Sequence, residues 1–160
     1  NVTEAKATSN YQVYGVLYNW PAANNGCPTG WHLPSDEEWT TMENYLIANG
    51  YNYDGTTSGN KIGKALAATT TWPPSTYTTG AIGNTNFPQK RNMTGFSALP
   101  GGQRYDDGGI FSLLNNYGYC WTSTAFSTQS YFRYLTYEYD GVYRYSTTKA
   151  RGYSVRCIKN

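Results

Sequence analysis

One histidine, His32, and three cysteines, Cys27, Cys120 and Cys157, are the residues with the sharpest chemistry in this chain of 160. Acid–base work near neutral pH would fall to His32. It sits between Trp31 and Leu33 beside a helix-start pattern, so it reads as a partly buried, hydrogen-bonded histidine and not as a catalytic one. Ser97 and Ser123 show no His-and-Asp partnership of the kind that activates a nucleophile. The cysteines lie far apart without a CxxC spacing, and with a single histidine a zinc site is set aside. One bridge plus a leftover thiol fits an exported protein, while three reduced thiols fit the cytosol, and the count leaves both open. Asp106-Asp107 in a Gly-rich loop could offer hard oxygen ligands to calcium, but two adjacent acids there read first as a solvated turn. Gly101-Gly102 and Gly108-Gly109 lack the strand-to-helix context and the Lys of a phosphate loop. The expectation is a protein that is not an enzyme, with no metal site and no cofactor.

The composition points the same way. Aromatics make up 17% of the chain, with seventeen Tyr and five Trp, against 14% charged residues, which argues against disorder. Tyrosine combines apolar area with a polar tip, which suits half-buried sheets and recognition surfaces. A net charge of +2 gives no reason to expect nucleic acid, and the C-terminal excess of Arg133, Arg144, Lys149, Arg151, Arg156 and Lys159 over Glu138 and Asp140 reads as a solvated face. No apolar run is long enough for a membrane span. The chain opens on Asn1 without a signal segment and is read as a processed protein or a fragment.

The elements that would position these residues follow from local patterns. Tyr11–Trp20 is rich in β-formers and reads as a strand bent at Gly15, followed by a turn-rich stretch from Pro21 to Gly30. Ser35 and Glu38 form a capping box, Asp36 and Glu37 favour the first turn, and Trp39, Met42, Leu46 and Ile47 recur at helical spacing. These residues predict a helix over about Asp36–Ala48, ended by Asn49-Gly50. The pattern also allows a second helix over about Gly59–Ala68, with Ile62, Ala65 and Leu66 on one face. From Thr69 to Leu114 the chain reads as long ordered loops pinned by Trp72, Phe87, Phe96, Leu99 and Phe111. Strands are expected at Tyr119–Ser123, Tyr131–Tyr139, Val142–Ser146 and Gly152–Ile158, with Asp140-Gly141 as a tight hairpin turn. Helices followed by a C-terminal antiparallel sheet describe an α+β fold in a single domain, with residues 1–10 as an N-terminal arm.

Four blocks carry a resemblance: YGVLYNW at Tyr14–Trp20, CPTGWHLPSDEEW at Cys27–Trp39, GFSALPGG at Gly95–Gly102 and GYSVRC at Gly152–Cys157. In this order they resemble the Fibrobacter succinogenes major paralogous domain, a family frequent in secreted and surface proteins. The resemblance implies a C-type-lectin-like fold related to sulfatase-modifying enzymes and to retroelement-diversified variable proteins. It also implies that the first and last parts of the chain meet, which makes Cys27 and Cys157 the disulfide pair. Two departures stand out. The family carries a further N-terminal stretch ahead of Asn1, so the chain is read as a fragment or as a sheet completed by another chain. Cys120 stands where the family has aromatics and is read as a buried free thiol. The sulfatase-modifying activity needs a nearby cysteine pair that this chain lacks.

A hairpin at Asp140-Gly141 would pair Tyr139 with Val142, Tyr137 with Arg144 and Leu135 with Ser146. One face then holds Arg133, Leu135, Tyr137, Tyr139, Val142 and Arg144, and packs inward. The other holds Phe132, Tyr134, Thr136, Glu138, Tyr143 and Tyr145 and faces solvent. Phe132, Tyr134, Glu138, Tyr143 and Tyr145 are therefore the expected ligand-binding residues of an extracellular or surface-displayed module for a glycan or protein. The alternative is a structural subunit of a surface filament or coat, with the aromatics making contacts in self-assembly.

Overall fold

The computed structural model describes residues 2–160. In chain order the elements are α1 (Val2–Lys6), α2 (Ser9–Tyr14), α3 (Trp20–Asn24), β1 (Trp31–His32), α4 (Asp36–Ala48) and α5 (Gly63–Leu66). A 3-10 turn at Pro88–Lys90 precedes β2 (Gln103–Arg104), β3 (Phe111–Ser112), β4 (Tyr117–Phe126), β5 (Gln129–Thr136), β6 (Tyr143–Thr148) and β7 (Ile158–Lys159). The fold is α+β. Its main sheet is antiparallel in the order β4-β5-β6, and two short ladders pair β1 with β7 and β2 with β3.

Helix α4 forms as its residues dictate. Ser35 Oγ accepts from the Glu38 amide at 3.1 Å and the Glu38 carboxylate accepts from the Ser35 amide at 2.8 Å, which completes the capping box. Trp39 and Leu46 are buried, and Met42 and Ile47 pack beside them. The helix lies on one face of the main sheet, where its first turn is tied down. The Asp36 amide donates to Thr124 Oγ1 at 3.0 Å, and the Ser123 amide donates to the Pro34 carbonyl at 2.8 Å. Arg133, on β5 and only 1% exposed, completes the attachment. It reaches Asp36 at 2.5 Å and Glu43 at 2.6 Å, and donates to Thr40 Oγ1 and the Asp36 carbonyl. Arg144 on β6 shares the Asp36 carboxylate at 2.8 Å. Burial alone would raise the Asp36 pKa, but the hydrogen bonds from Arg144 and Arg133 hold it below its ordinary value. At Glu43 burial outweighs Arg133 and the pKa is raised.

The chain ends are fastened together. Trp31 pairs with Lys159 and His32 with Ile158, and a disulfide joins Cys27 to Cys157 across 130 residues. In the chain-entropy account, closing a loop of this length stabilises by about 4 to 5 kcal/mol. Cys120 is a buried free thiol, pushed up to about 11 by burial.

Four expectations need correction. The strand expected at Tyr11–Trp20 is absent. Thr8 Oγ1 caps α2 by accepting from the Tyr11 amide, and Asn19 Oδ1 caps α3 by accepting from the Ala22 amide. Such local caps outweigh β propensity; only Tyr18 bridges to another segment, at Tyr153. The expected closing strand at Gly152–Ile158 shrinks to β7, while Gly152, Tyr153 and Ser154 make single bridges to Arg104, Tyr18 and Cys120. Among the loop anchors, Trp72 is buried and donates its indole N–H to the Ala98 carbonyl, but Phe111 is 72% exposed and anchors nothing.

The fourth correction is the hairpin register. Arg133, not Tyr137, faces Arg144, and Tyr134 faces Tyr143. Residues 137–142 do not pair with each other because other segments claim their backbone. The Tyr137, Tyr139 and Asp140 carbonyls accept from the Gly83, Ile82 and Gly63 amides, and Asn60 clamps both backbone groups of Val142. Gly63 must be glycine for this: a Cβ there would stand 2.7 Å from the Asp140 carbonyl oxygen. The slip spans four residues. Because that number is even, Phe132, Tyr134, Tyr143 and Tyr145 still share one face and Arg133 and Arg144 the other, while residues 137–142 lie outside the ladder.

Arg133→Ala leaves Asp36 and Glu43 without their buried counter-charge and should cost about 3 to 5 kcal/mol in chemical denaturation; a loss under about 1 kcal/mol would show that the helix is held otherwise. The His32 ring nitrogens donate, Nδ1 to Asn160 Oδ1 at 2.6 Å and Nε2 to Glu38 Oε1 at 2.9 Å. These bonds, Asn160 first and Glu38 second, raise its pKa above the ordinary value. A raised histidine stabilises fully below its unfolded pKa, and the contribution fades as pH rises through the folded one. NMR titration should therefore place His32 above about 6.5, and Glu38→Gln should bring it down.

Candidate functional site: an aromatic groove on the main sheet

Alternation along β4 sends Cys120 and Thr122 towards the α4 side and Tyr117, Tyr119 and Trp121 to the opposite face. The cross-strand pairs Tyr119–Tyr134, Trp121–Phe132, Phe132–Tyr145 and Tyr134–Tyr143 extend that face over all three strands. Tyr153, carried in by the bridging C-terminal segment, stacks on Tyr119 with ring centroids 4.7 Å apart and planes 10° from parallel. Tyr117 and Tyr119 stack at 5.7 Å, and Tyr134 and Tyr143 at 5.2 Å. Edge and tilted contacts link Phe132 to Tyr119, Trp121 and Tyr153. Each such pair adds about 0.5 to 1.5 kcal/mol beyond its area, so the rings hold one another in place.

A shallow groove of about 250 Å³ opens on this face, lined by Gln103, Tyr117, Tyr119, Phe132, Tyr134, Tyr145, Arg151 and Tyr153. Its chemistry is rings, hydroxyls, one amide and one guanidinium. Burial raises the pKa of Tyr119, Tyr134 and Tyr153, so their phenols stay protonated around neutral pH. Arg151 donates to Gln103 Oε1 at 3.3 Å and lies over the Tyr105 ring at 4.9 Å. Asp106 stands 3.7 Å from Arg151 and accepts from Thr148 Oγ1 at 3.0 Å.

Of the five residues expected to bind ligand, Phe132, Tyr134 and Tyr145 line this groove. Tyr145 is 63% exposed, Tyr134 is half-buried, and Phe132, at 7% exposed, is its floor and not an open contact. Tyr143 shares the face as the outer partner of Tyr134 but does not line the groove. Glu138 lies apart, in the 137–142 connection, where it accepts from the Tyr137 hydroxyl at 3.2 Å. Sequence reading missed Tyr117, Tyr119, Tyr153, Gln103 and Arg151. The first two were legible as the period-two aromatics of Tyr117-Gly118-Tyr119-Cys120-Trp121; the others arrive from distant segments.

The remaining chemistry-bearing residues are engaged elsewhere. Ser97 Oγ accepts from Asn92 Nδ2 at 2.8 Å. Among the described residues no group of three or more His, Cys, Asp or Glu is placed to hold a metal ion, and no helix is long and apolar enough to cross a membrane.

Floor and rim of the groove should respond differently to truncation. Phe132→Ala should cost about 3 to 5 kcal/mol of stability, whereas Tyr145→Ala should stay within about 0.5 kcal/mol. Equal losses in thermal or denaturant melts would mean that Tyr145 belongs to the framework.

Neither a curated protein nor a solved structure is detectably similar to this chain. The sequence model of the Fibrobacter succinogenes major domain matches residues 1–159, and the chain belongs to that family.

Proposed function

We propose that this domain is a non-catalytic binding module, displayed outside the cell on a C-type-lectin-like fold, that holds a glycan or protein ligand against the tyrosine-lined face. The observation that carries this reading is the groove floored by the stacked, buried Tyr119 and Tyr153, with the half-buried Tyr134 and the exposed Tyr145 at its rim. Rigid tyrosines give contact area at low entropic cost, and their hydroxyls give hydrogen bonds, which is the combination used by recognition surfaces. At about 250 Å³ the groove is smaller than the roughly 300–1,000 Å³ of enclosed small-molecule sites. That suits a ligand lying across it more than one swallowed by it. The Cys27–Cys157 bridge supports an oxidising compartment.

A second reading, a subunit of a surface filament or coat, draws on different features. Strand β6 is an outer strand of the main sheet, and Ile110 and Phe111 are 64% and 72% exposed. Outer strands and exposed apolar side chains invite contacts between copies.

The two readings separate by experiment. Tyr134→Ala/Tyr145→Ala should lower ligand binding on a glycan and surface-protein array by tenfold or more, about 1.4 kcal/mol, with the disulfide intact. Unchanged binding would end the first reading. Light scattering after size exclusion should give a monomer; a concentration-dependent ladder of assemblies would favour the second.

A further inference from the structure

Resting on the reading of the tyrosine-lined face as the ligand site, we propose that the groove selects an acidic saccharide, a chain bearing uronic-acid carboxylates, with Arg151 as the carboxylate-recognising residue. Among the lining residues described, Arg151 is the only charged one, and no carboxylate lines the groove. The phenols beside it stay neutral, because burial raises Tyr119, Tyr134 and Tyr153. The guanidinium is therefore the one charge on the groove lining, set among rings and offset only in part by Asp106 outside the lining.

The guanidinium is also pre-positioned. Gln103, buried in β2, accepts from Arg151 Nη1, the Tyr105 ring backs its plane, and the Tyr153 hydroxyl faces it. Its Nε is buried without a hydrogen-bond partner, while 29% of the side chain remains open. Asp106 is the one acid near it. Its Oδ1 forms an ion pair with Arg151 Nε at 3.7 Å, too long for a hydrogen bond, while Oδ2 accepts from Thr148 Oγ1. The donors left for a second carboxylate are those at Nη2 and not the buried Nε, and the planar guanidinium matches that group in geometry. The apolar face of a pyranose would lie on the exposed Tyr145 ring beside Tyr134, with its carboxylate towards Arg151. A neutral sugar would make the ring contact alone.

Isothermal titration of the intact domain with oligogalacturonate and with cello-oligosaccharides of the same length tests the proposal. Oligogalacturonate should bind at least tenfold more tightly, and raising NaCl should narrow the difference. Arg151→Gln should bring the oligogalacturonate affinity down to that for cello-oligosaccharides; the salt dependence of the unaltered protein tests the same point should the variant not fold. Equal affinity for the two saccharides, insensitive to salt, would overturn the acidic-ligand inference and leave the tyrosine-lined site standing. Binding of neither, with a protein or another ligand captured through Tyr134 and Tyr145, would also overturn it. Absence of any binding dependent on those tyrosines would remove both the inference and the reading beneath it.

Discussion

Arg133 sits where a strand of the main sheet meets the first turns of α4, and its side chain is almost wholly removed from water. A guanidinium in that position must be paired on several sides. Asp36, Glu43, Thr40 and a backbone carbonyl supply the partners from one helix. The requirement fixes the rotation and the height of α4 over the sheet, since shifting either would strand a buried charge. It also explains why Asp36 stays ionised beside Arg133 and Arg144 despite its partial burial. With α4 held on one side, the opposite side of the same three strands is left for aromatic side chains.

That opposite side is cohesive without being oily. Tyr119, Trp121, Phe132 and Tyr153 form one buried cluster, with Tyr117 and Tyr134 packed at its margin. Two indoles on this side are satisfied: Trp121 donates to the Tyr18 carbonyl at 2.8 Å and Trp20 to the Thr122 carbonyl at 2.9 Å. Stability therefore grades outward from an aromatic core to an aromatic rim. At the rim Tyr134 is held by ring contacts with Tyr143 and Tyr145.

The long central loops are ordered by buried polar side chains as well as by apolar anchors such as Trp72 and Ile82. Asn52 donates to the Thr56, Ser58 and Gly59 carbonyls and accepts from the Lys61 amide, closing its own loop around itself. Lys64, buried in α5, donates to the Asn84 and Asn86 carbonyls at 2.7 and 2.6 Å. Backbone groups far from any helix or sheet are thus given partners inside the fold, as burial demands. Burial, with Arg91 nearby, lowers the Lys64 ammonium to about 8, which marks how far it is withdrawn from water.

By itself the sequence determined what depends on near neighbours. The capping box at Ser35 and Glu38, the apolar stripe of α4, the α+β character and the division of hairpin side chains between two faces all follow from spacings of a few residues. The quoted sequence blocks determined the family, and through it the Cys27–Cys157 pairing. Only the tertiary structure decided what depends on partners far along the chain. Whether Asp140-Gly141 makes a tight turn was settled by Asn60, Gly63 and Gly83, which take the backbone groups that a hairpin would have used. The same holds for Arg133, legible as inward-facing but not as the partner of Asp36 and Glu43. It holds again for Arg151 and Tyr153, brought to the groove by bridges from the C-terminal segment. Local hydrogen bonds and periodicity are written in adjacent residues, whereas the satisfaction of a buried backbone group or charge belongs to whichever distant segment the fold brings near.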